Sequence, residues 1–100
     1  MENDTLPKEL LQAREKIDHI DQQLINLLGE RFAETYQVGK IKARQELESF
    51  DPAREAQKIE KLRRLSEDAG LNPDLVANLF SQIMQEVVSN HKKLKAQASS

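Results

Sequence analysis

The chain has 100 residues, of which 38% are hydrophobic and 4% aromatic, so it can form one small domain with a thin core. Its 15 basic residues nearly balance its 17 acidic residues, which argues against binding to nucleic acid or a membrane surface, because both need a net basic face. The absence of cysteine excludes disulfides, thiolate zinc sites and thiol nucleophiles. The N-terminus MENDTLPKEL lacks the features of a secretory signal, and no window approaches the ~18 apolar residues of a membrane span. These features predict a soluble, cytoplasmic protein.

The first predicted helix is very long. Pro7 suits the first position of a helix, and nothing stops that helix before the segment ELESFDP, so we expect it at about 7–45. Gly29 and Gly39 lie inside it, at a cost of about 1 kcal/mol each relative to alanine, and we expect another backbone to approach closely there. The helix would measure about 55 Å, against a radius of gyration near ~13 Å for a compact domain of this size. Because a projecting apolar stripe is unstable in water, we infer a helical homodimer that shares the long helices.

Two shorter helices follow, and both begin with the same signal. Asp51-Pro52 is typical of an N-cap followed by a first-turn proline, which predicts helix two at about 52–69, ending at Gly70. Asn72-Pro73 repeats this signal and predicts helix three at about 73–96, with a frayed tail KAQASS. No segment alternates apolar with polar residues as a strand does, so the fold class is all-α, with three helices per chain.

The inward stripe of helix one contains two cations. At about 100° per residue, one line along the helix connects a set of apolar residues and continues through Arg31, Thr35 and Lys42. The apolar members of this stripe are Ile17, Ile20, Leu24, Leu27 and Val38. Arg14 lies about 100° around from Arg31, where it more easily faces a neighbouring chain.

Helices two and three each add polar residues beside an apolar face. Glu55 shares a stripe with Ile59 and Leu62, whereas Arg54 points further round helix two. Helix three carries one apolar face, which His91 shares one turn after Val87. We expect that face to bury Val76, Leu79, Phe80, Ile83, Val87 and Leu94.

Each polar residue has a structural explanation when taken alone. Arg31 fits an interface salt bridge, Lys42 can extend to water, and Arg14 and Arg54 suit the surface. Asp51 is explained as an N-cap, Glu55 as a first-turn acid, and His91 as a hydrogen-bonded core histidine.

Together these residues favour a binding site. Two inward cations with few acids facing them leave positive charge uncompensated in an apolar interior, which is costly. A small dianion, with a hydroxyl group from which Glu55 accepts a hydrogen bond, would neutralise Arg31 and Lys42.

Two segments of the chain resemble the all-helical (type II) class of chorismate mutases. They are AREKIDHIDQQLINLLGERFAETYQVGKIKA and, after it, FDPAREAQKIEKL. The family pattern is R-x-x-I-x-x-I/L-D-x-x-I/L-x-x-L-I/L-x-x-R, then G-x-x-K and D-x-x-R-E, and the resemblance extends over about 10–94. It implies an entwined homodimer with two active sites, each built from both subunits. The implied reaction is the Claisen rearrangement of chorismate to prephenate, which needs no metal, cofactor or nucleophile.

The resemblance also implies roles for the cations. Arg14 would reach across the interface and bind a substrate carboxylate in the partner's site. Arg31 would bind a carboxylate in its own chain's site, and Lys42 would contact the side-chain carboxylate and the ether oxygen. Positive charge at the ether oxygen is useful because that atom becomes more negative as its carbon–oxygen bond breaks.

The remaining roles fall on helices two and three. Asp51 and Glu55 would place the ring hydroxyl, with Arg54 supporting that corner. Val87 stands where the family often has a serine or another polar residue that contributes to carboxylate binding. His91 stands where the family typically has a glutamine or glutamate that donates a hydrogen bond to the ether oxygen, and imidazole can donate such a bond.

Two alternatives to the mutase remain open at this stage. An isochorismate-pyruvate lyase shares the fold and a similar set of cations, although the loop ELESFDP, of mutase-like length, favours the mutase. A non-catalytic helical dimer that binds an aromatic-pathway metabolite is the other, since Val87 and His91 depart from the family pattern. A fused second enzyme domain is not expected in a chain of this length.

Overall fold

The computed structural model describes residues 5–99 and contains three α-helices, α1 (Lys8–Arg44), α2 (Pro52–Asp68) and α3 (Pro73–Ser99). The described residues form no strand, and α1 alone has 37 residues. The prediction of an all-α chain with three helices and a very long first helix is therefore confirmed. Within the described range, no helix is both long enough and apolar enough to span a membrane.

The ends of the helices differ slightly from the predicted ranges. α1 begins at Lys8, after Pro7, whose carbonyl accepts hydrogen bonds from the amides of Leu10 and Leu11 at 3.1 and 3.2 Å. α3 continues to Ser99, past the predicted end at 96. Alanine and glutamine are good helix formers, which explains why this polar tail stays helical.

The chain divides into two compact units, and α1 begins in the first and ends in the second. The first unit ends at Ala33, and its described structure is mostly the first part of α1. Its apolar stripe is exposed within the single chain, with side chains between 53% and 59% accessible: Ile17, Ile20, Leu24 and Leu27. No part of residues 5–99 covers this stripe.

The second unit begins at Glu34 and contains α2 and α3, whose N-termini are capped as predicted. Asp51 adopts extended backbone angles and its Oδ1 accepts a hydrogen bond from the backbone amide of Arg54 at 3.1 Å. The side chain of Asn72 accepts from the amide of Asp74 at 2.9 Å. Each cap satisfies an amide that the first turn of its helix leaves without a partner.

The C-terminal ends of α1 and α2 use the same hydrogen-bonded turn. After α1, the amide of Leu47 donates to the carbonyl of Lys42 at 2.8 Å and that of Glu46 to Ala43 at 3.4 Å. After α2, the amide of Leu71 donates in the same way to the carbonyl of Ser66 at 2.8 Å, and that of Gly70 to Glu67 at 3.1 Å. This is the Schellman motif, which needs one residue with positive φ. Gly70 has φ of 74°, but at the end of α1 that residue is Glu46, with φ of 57°.

The core of the second unit lies between α2 and α3. Leu62, Ser66 and Ala77 are buried, and the Ser66 hydroxyl donates to the carbonyl of Leu62 at 2.6 Å. The prediction that helix three buries Leu79 is wrong, because this side chain is 53% exposed. At about 100° per residue, Leu79 lies about 160° around α3 from Ala77, so it faces away from the contact with α2.

Candidate active site

Lys42 lies in the last turn of α1 and is partly buried. Its carbonyl is held by the amide of Leu47 in the turn that ends the helix. Lys42 makes no ion pair with any carboxylate of residues 5–99. The backbone of this residue is thus held by the helix end, while its ammonium group stays able to bind an anionic ligand.

The two other predicted cations, Arg14 and Arg31, lie in the first unit. Arg31 is partly buried, and its Nη1 atom is withdrawn from solvent. Arg14 is exposed. Moving a guanidinium nitrogen out of water is costly without compensating interactions, so the burial of Arg31 distinguishes it from an ordinary surface arginine.

The start of α2 arranges the three residues that the resemblance assigns to the ring hydroxyl. The Asp51 side chain caps the helix by accepting a hydrogen bond from the backbone amide of Arg54. The Asp51 carbonyl accepts a second one from the amide of Glu55 at 3.0 Å. Asp51 and Arg54 are exposed, whereas Glu55 is partly buried. The N-cap therefore sets where α2 begins. Through the helical repeat, it places Glu55 on the same face of α2 as the buried Leu62.

On α3, Val87 is partly buried and His91 is buried, with only 4% of its surface accessible. The Nε2 atom of His91 lies 2.7 Å from the backbone carbonyl oxygen of Thr35 in α1. Because a carbonyl can only accept, Nε2 carries the proton and donates. The other ring nitrogen, Nδ1, is buried and has no hydrogen-bond partner among residues 5–99.

Gly39 is the reason that His91 can approach α1 so closely. A Cβ atom added to Gly39 would lie 2.5 Å from Cδ2 of His91 and 2.8 Å from Cδ1 of Leu94, closer than atoms can pack. The expected close approach at Gly39 is thus made by side chains, not by another backbone. At Gly29, a Cβ atom would meet no atom of the described residues within 4 Å.

Thr35 and Gly39 were not among the predicted site residues, although a close approach was expected at Gly39. Thr35 contributes a backbone carbonyl, which no residue type signals. Gly39 did carry a signal, because it interrupts a good helix four residues after Thr35 and three residues before Lys42. These three residues share one face of α1.

The predicted site residues are divided between the two units. Arg14 and Arg31 belong to the first. The second holds the larger group: Lys42, Asp51, Arg54, Glu55, Val87 and His91. Within the second unit, His91 contacts the face of α1 that also carries Lys42.

Comparison with known proteins agrees with the family resemblance seen in the sequence. The family model described as chorismate mutase type II matches residues 13–92. A T-protein from Enterobacter agglomerans is 35% identical over 78 residues, which cover 78% of this chain and 21% of that protein. A bifunctional chorismate mutase/prephenate dehydratase from Aquifex aeolicus is 32% identical over 91 residues, covering 88% of this chain and 25% of the relative.

A shorter relative matches along most of its own length. It is a chorismate mutase from Methanocaldococcus jannaschii, 28% identical over 90 residues, which cover 90% of this chain and 87% of that protein. The chain thus spans about a fifth to a quarter of the T-protein and the bifunctional relative, but most of this one. Because the family model matches most of the chain, the chain belongs to the chorismate mutase type II family.

Proposed function

We propose that the chain catalyses the Claisen rearrangement of chorismate to prephenate, in the shikimate pathway toward phenylalanine and tyrosine. Membership of the type II family supports this proposal, and favours it over the lyase and over a non-catalytic dimer. The observation that carries it is the state of Lys42, a partly buried cation with no ion pair among the described residues. Such a cation suits a dianionic substrate better than a structural role.

The rearrangement needs positioning and electrostatic stabilisation. The flexible substrate must be held in a chair-like conformer, in which the bond-forming carbon atoms lie close together. Lys42 would contact a substrate carboxylate and the ether oxygen, and its charge would stabilise the negative charge that develops on that oxygen. Arg31 would bind a carboxylate, consistent with its partly withdrawn guanidinium group.

The other proposed binding residues surround the substrate ring. Glu55 would accept a hydrogen bond from the ring hydroxyl, with Asp51 and Arg54 at the same corner. The exposed Arg14 would act in the partner's site. Val87 would contact the substrate only through apolar atoms, because its side chain cannot form hydrogen bonds.

We also propose that the protein is an entwined homodimer. Four stripe residues of α1, Ile17, Ile20, Leu24 and Leu27, are each more than half exposed in the single chain. Burying the exposed part of each side chain contributes roughly 1 kcal/mol to the free energy of association. The four side chains of both copies together then contribute roughly 8 kcal/mol. That free energy is comparable with a micromolar dissociation constant, before the cost of association is subtracted. A second copy of the chain is the natural cover, because the stripe continues toward Arg31 and would bring the partner's Arg14 to the site.

We propose a cytoplasmic location, as expected for an enzyme of amino-acid biosynthesis. The partners are then chorismate and a second copy of the chain, with neither nucleic acid nor a membrane. The near balance of basic and acidic residues supports this assignment.

The test is to incubate the purified protein separately with chorismate and with isochorismate. We expect prephenate from chorismate, and no fluorescent salicylate from isochorismate. A Lys42→Gln variant, which shortens the side chain by one atom and removes its charge, serves as the inactive control. Salicylate formation would establish the lyase instead, and binding of a dicarboxylate without turnover of either substrate would establish a non-catalytic protein.

A further inference from the structure

We infer that His91 is a positioning residue of the proposed site, because its ring fixes the part of α1 that carries Lys42. His91 does not donate a hydrogen bond to the ether oxygen of the substrate. The inference rests on the proposed function and concerns how one of its residues acts. It differs from the role that the family resemblance implies for this position, in which a side-chain donor contacts the ether oxygen directly.

The first step is the tautomer of His91. The acceptor at 2.7 Å from Nε2 is the backbone carbonyl of Thr35, which has no proton to give. Nε2 must therefore carry hydrogen. In the neutral ring, Nδ1 then has a lone pair and can only accept a hydrogen bond. The ether oxygen of chorismate and its carboxylates are also acceptors. In this tautomer, neither ring nitrogen can donate a hydrogen bond to them.

The second step is the fit around Gly39. In an α-helix the carbonyl of Thr35 already accepts from the amide of Gly39, four residues later, and it keeps a second lone pair. The ring of His91 reaches that lone pair over a residue with no side chain, so close that one methyl group would overlap it. With 4% of its surface accessible, His91 is held in this place by packing on all sides.

The third step connects this contact with Lys42. Thr35, Gly39 and Lys42 follow one another along one face of α1, so Lys42 lies one helical turn beyond the contact with α3. The next turn is the end of the helix, where the carbonyl of Lys42 is bound by Leu47. Lys42 is thus held between two fixed points, the histidine contact before it and the capping turn after it. Loss of the first would allow this part of α1 to move against α3.

The tautomer can be measured directly by long-range nitrogen–proton NMR of the wild-type protein. The chain has two histidines, His19 and His91, and His19 is exposed on α1, so a His19→Asn variant identifies the signals of each ring. We expect His91 to carry its proton on Nε2 and to keep Nδ1 unprotonated. This should hold both in the free protein and in the presence of a bicyclic dicarboxylate that mimics the chair-like transition state. A proton on Nδ1 of His91 in the inhibitor complex would overturn the inference.

Kinetics of His91→Asn give an independent test. The amide of asparagine can occupy the position of Nδ1, but it is too short to reach the position of Nε2 and the carbonyl of Thr35. A positioning role predicts that KM rises and kcat falls together, each by about tenfold, because a displaced Lys42 loses both its carboxylate contact and its ether-oxygen contact. A direct donor predicts a fall of about 100-fold in kcat with KM nearly unchanged, or full activity if asparagine replaces Nδ1. Either of these two results contradicts the inference, and His19→Asn is the matched control with unchanged kinetics.

Failure of the inference can be distinguished from failure of the proposed function. If wild-type protein makes no prephenate, the function proposal fails and no role in catalysis remains for His91. If wild-type protein makes prephenate while His91 binds the inhibitor through a protonated Nδ1, the function stands and the positioning role fails.

Discussion

Replacing Gly39 by alanine sets two opposing effects against each other. Alanine is favoured over glycine in a helix interior by about 1 kcal/mol, so the substitution should stabilise α1 if nothing stood nearby. The new methyl group, however, would lie 2.5 Å from the His91 ring and 2.8 Å from the end of Leu94. Overpacking of this kind costs about 1–3 kcal/mol. Moving the ring away from Thr35 also removes a buried hydrogen bond, which adds about 1 kcal/mol.

The unfavourable effects are the larger, so we expect Gly39→Ala to lower the free energy of unfolding by about 1–3 kcal/mol. Urea unfolding followed by circular dichroism measures this change, with wild type and variant at one protein concentration because a dimer's stability depends on it. Gly29→Ala in the same helix is the matched control. A methyl group there meets no atom of residues 5–99 within 4 Å, so about 0.5–1 kcal/mol of added stability is expected.

A double variant identifies the origin of the loss. In Gly39→Ala/His91→Ala the ring is absent, so the methyl group has to displace only the flexible end of Leu94. The two substitutions should therefore be less damaging together than the sum of their separate effects, by about 1 kcal/mol or more. A Gly39→Ala protein as stable as wild type, or strictly additive effects in the double variant, would refute the argument that the glycine makes room for the histidine.

Three further predictions concern the cation, the dimer and the helix ends. Lys42→Gln should lower kcat for prephenate formation about 100- to 1000-fold, and activity near that of wild type would remove Lys42 from the site. Leu24→Asp should yield monomers by light scattering after size exclusion, since it places a charge on the exposed apolar stripe; a dimer that persists would argue against this interface. Glu46→Gly should add about 0.5–1 kcal/mol of stability to unfolding in urea, because glycine adopts positive φ without strain, whereas Gly70→Ala should subtract about 1 kcal/mol.

Much of the fold can be deduced from local signals in the chain. Asp51 and Asn72 cap the helices that they were predicted to start, and Gly70 takes the positive φ that ends α2. These signals are readable because each depends on hydrogen bonds within a few residues of the chain. The end of α1 was placed correctly only in outline, since Glu46 takes a conformation that its residue type does not indicate.

The candidate site is only partly predictable in the same way. The helical repeat identified Arg31 and Lys42 as inward cations, and both are partly buried. It also identified Glu55, which lies on the covered face of α2. Whether these side chains bind one substrate depends on how the subunits of the proposed dimer are arranged, which no repeat within one helix specifies.

The residues of this chain by themselves determined an all-helical protein with three helices, the turns that separate them, and the family to which it belongs. Tertiary structure alone decided that Leu79 faces outward and that Nε2 of His91 donates its hydrogen bond to the carbonyl of Thr35. The physical reason is range. Caps and helical repeats act between near neighbours along the chain, whereas the partner of His91 lies more than fifty residues away and is a backbone atom, which every residue type carries.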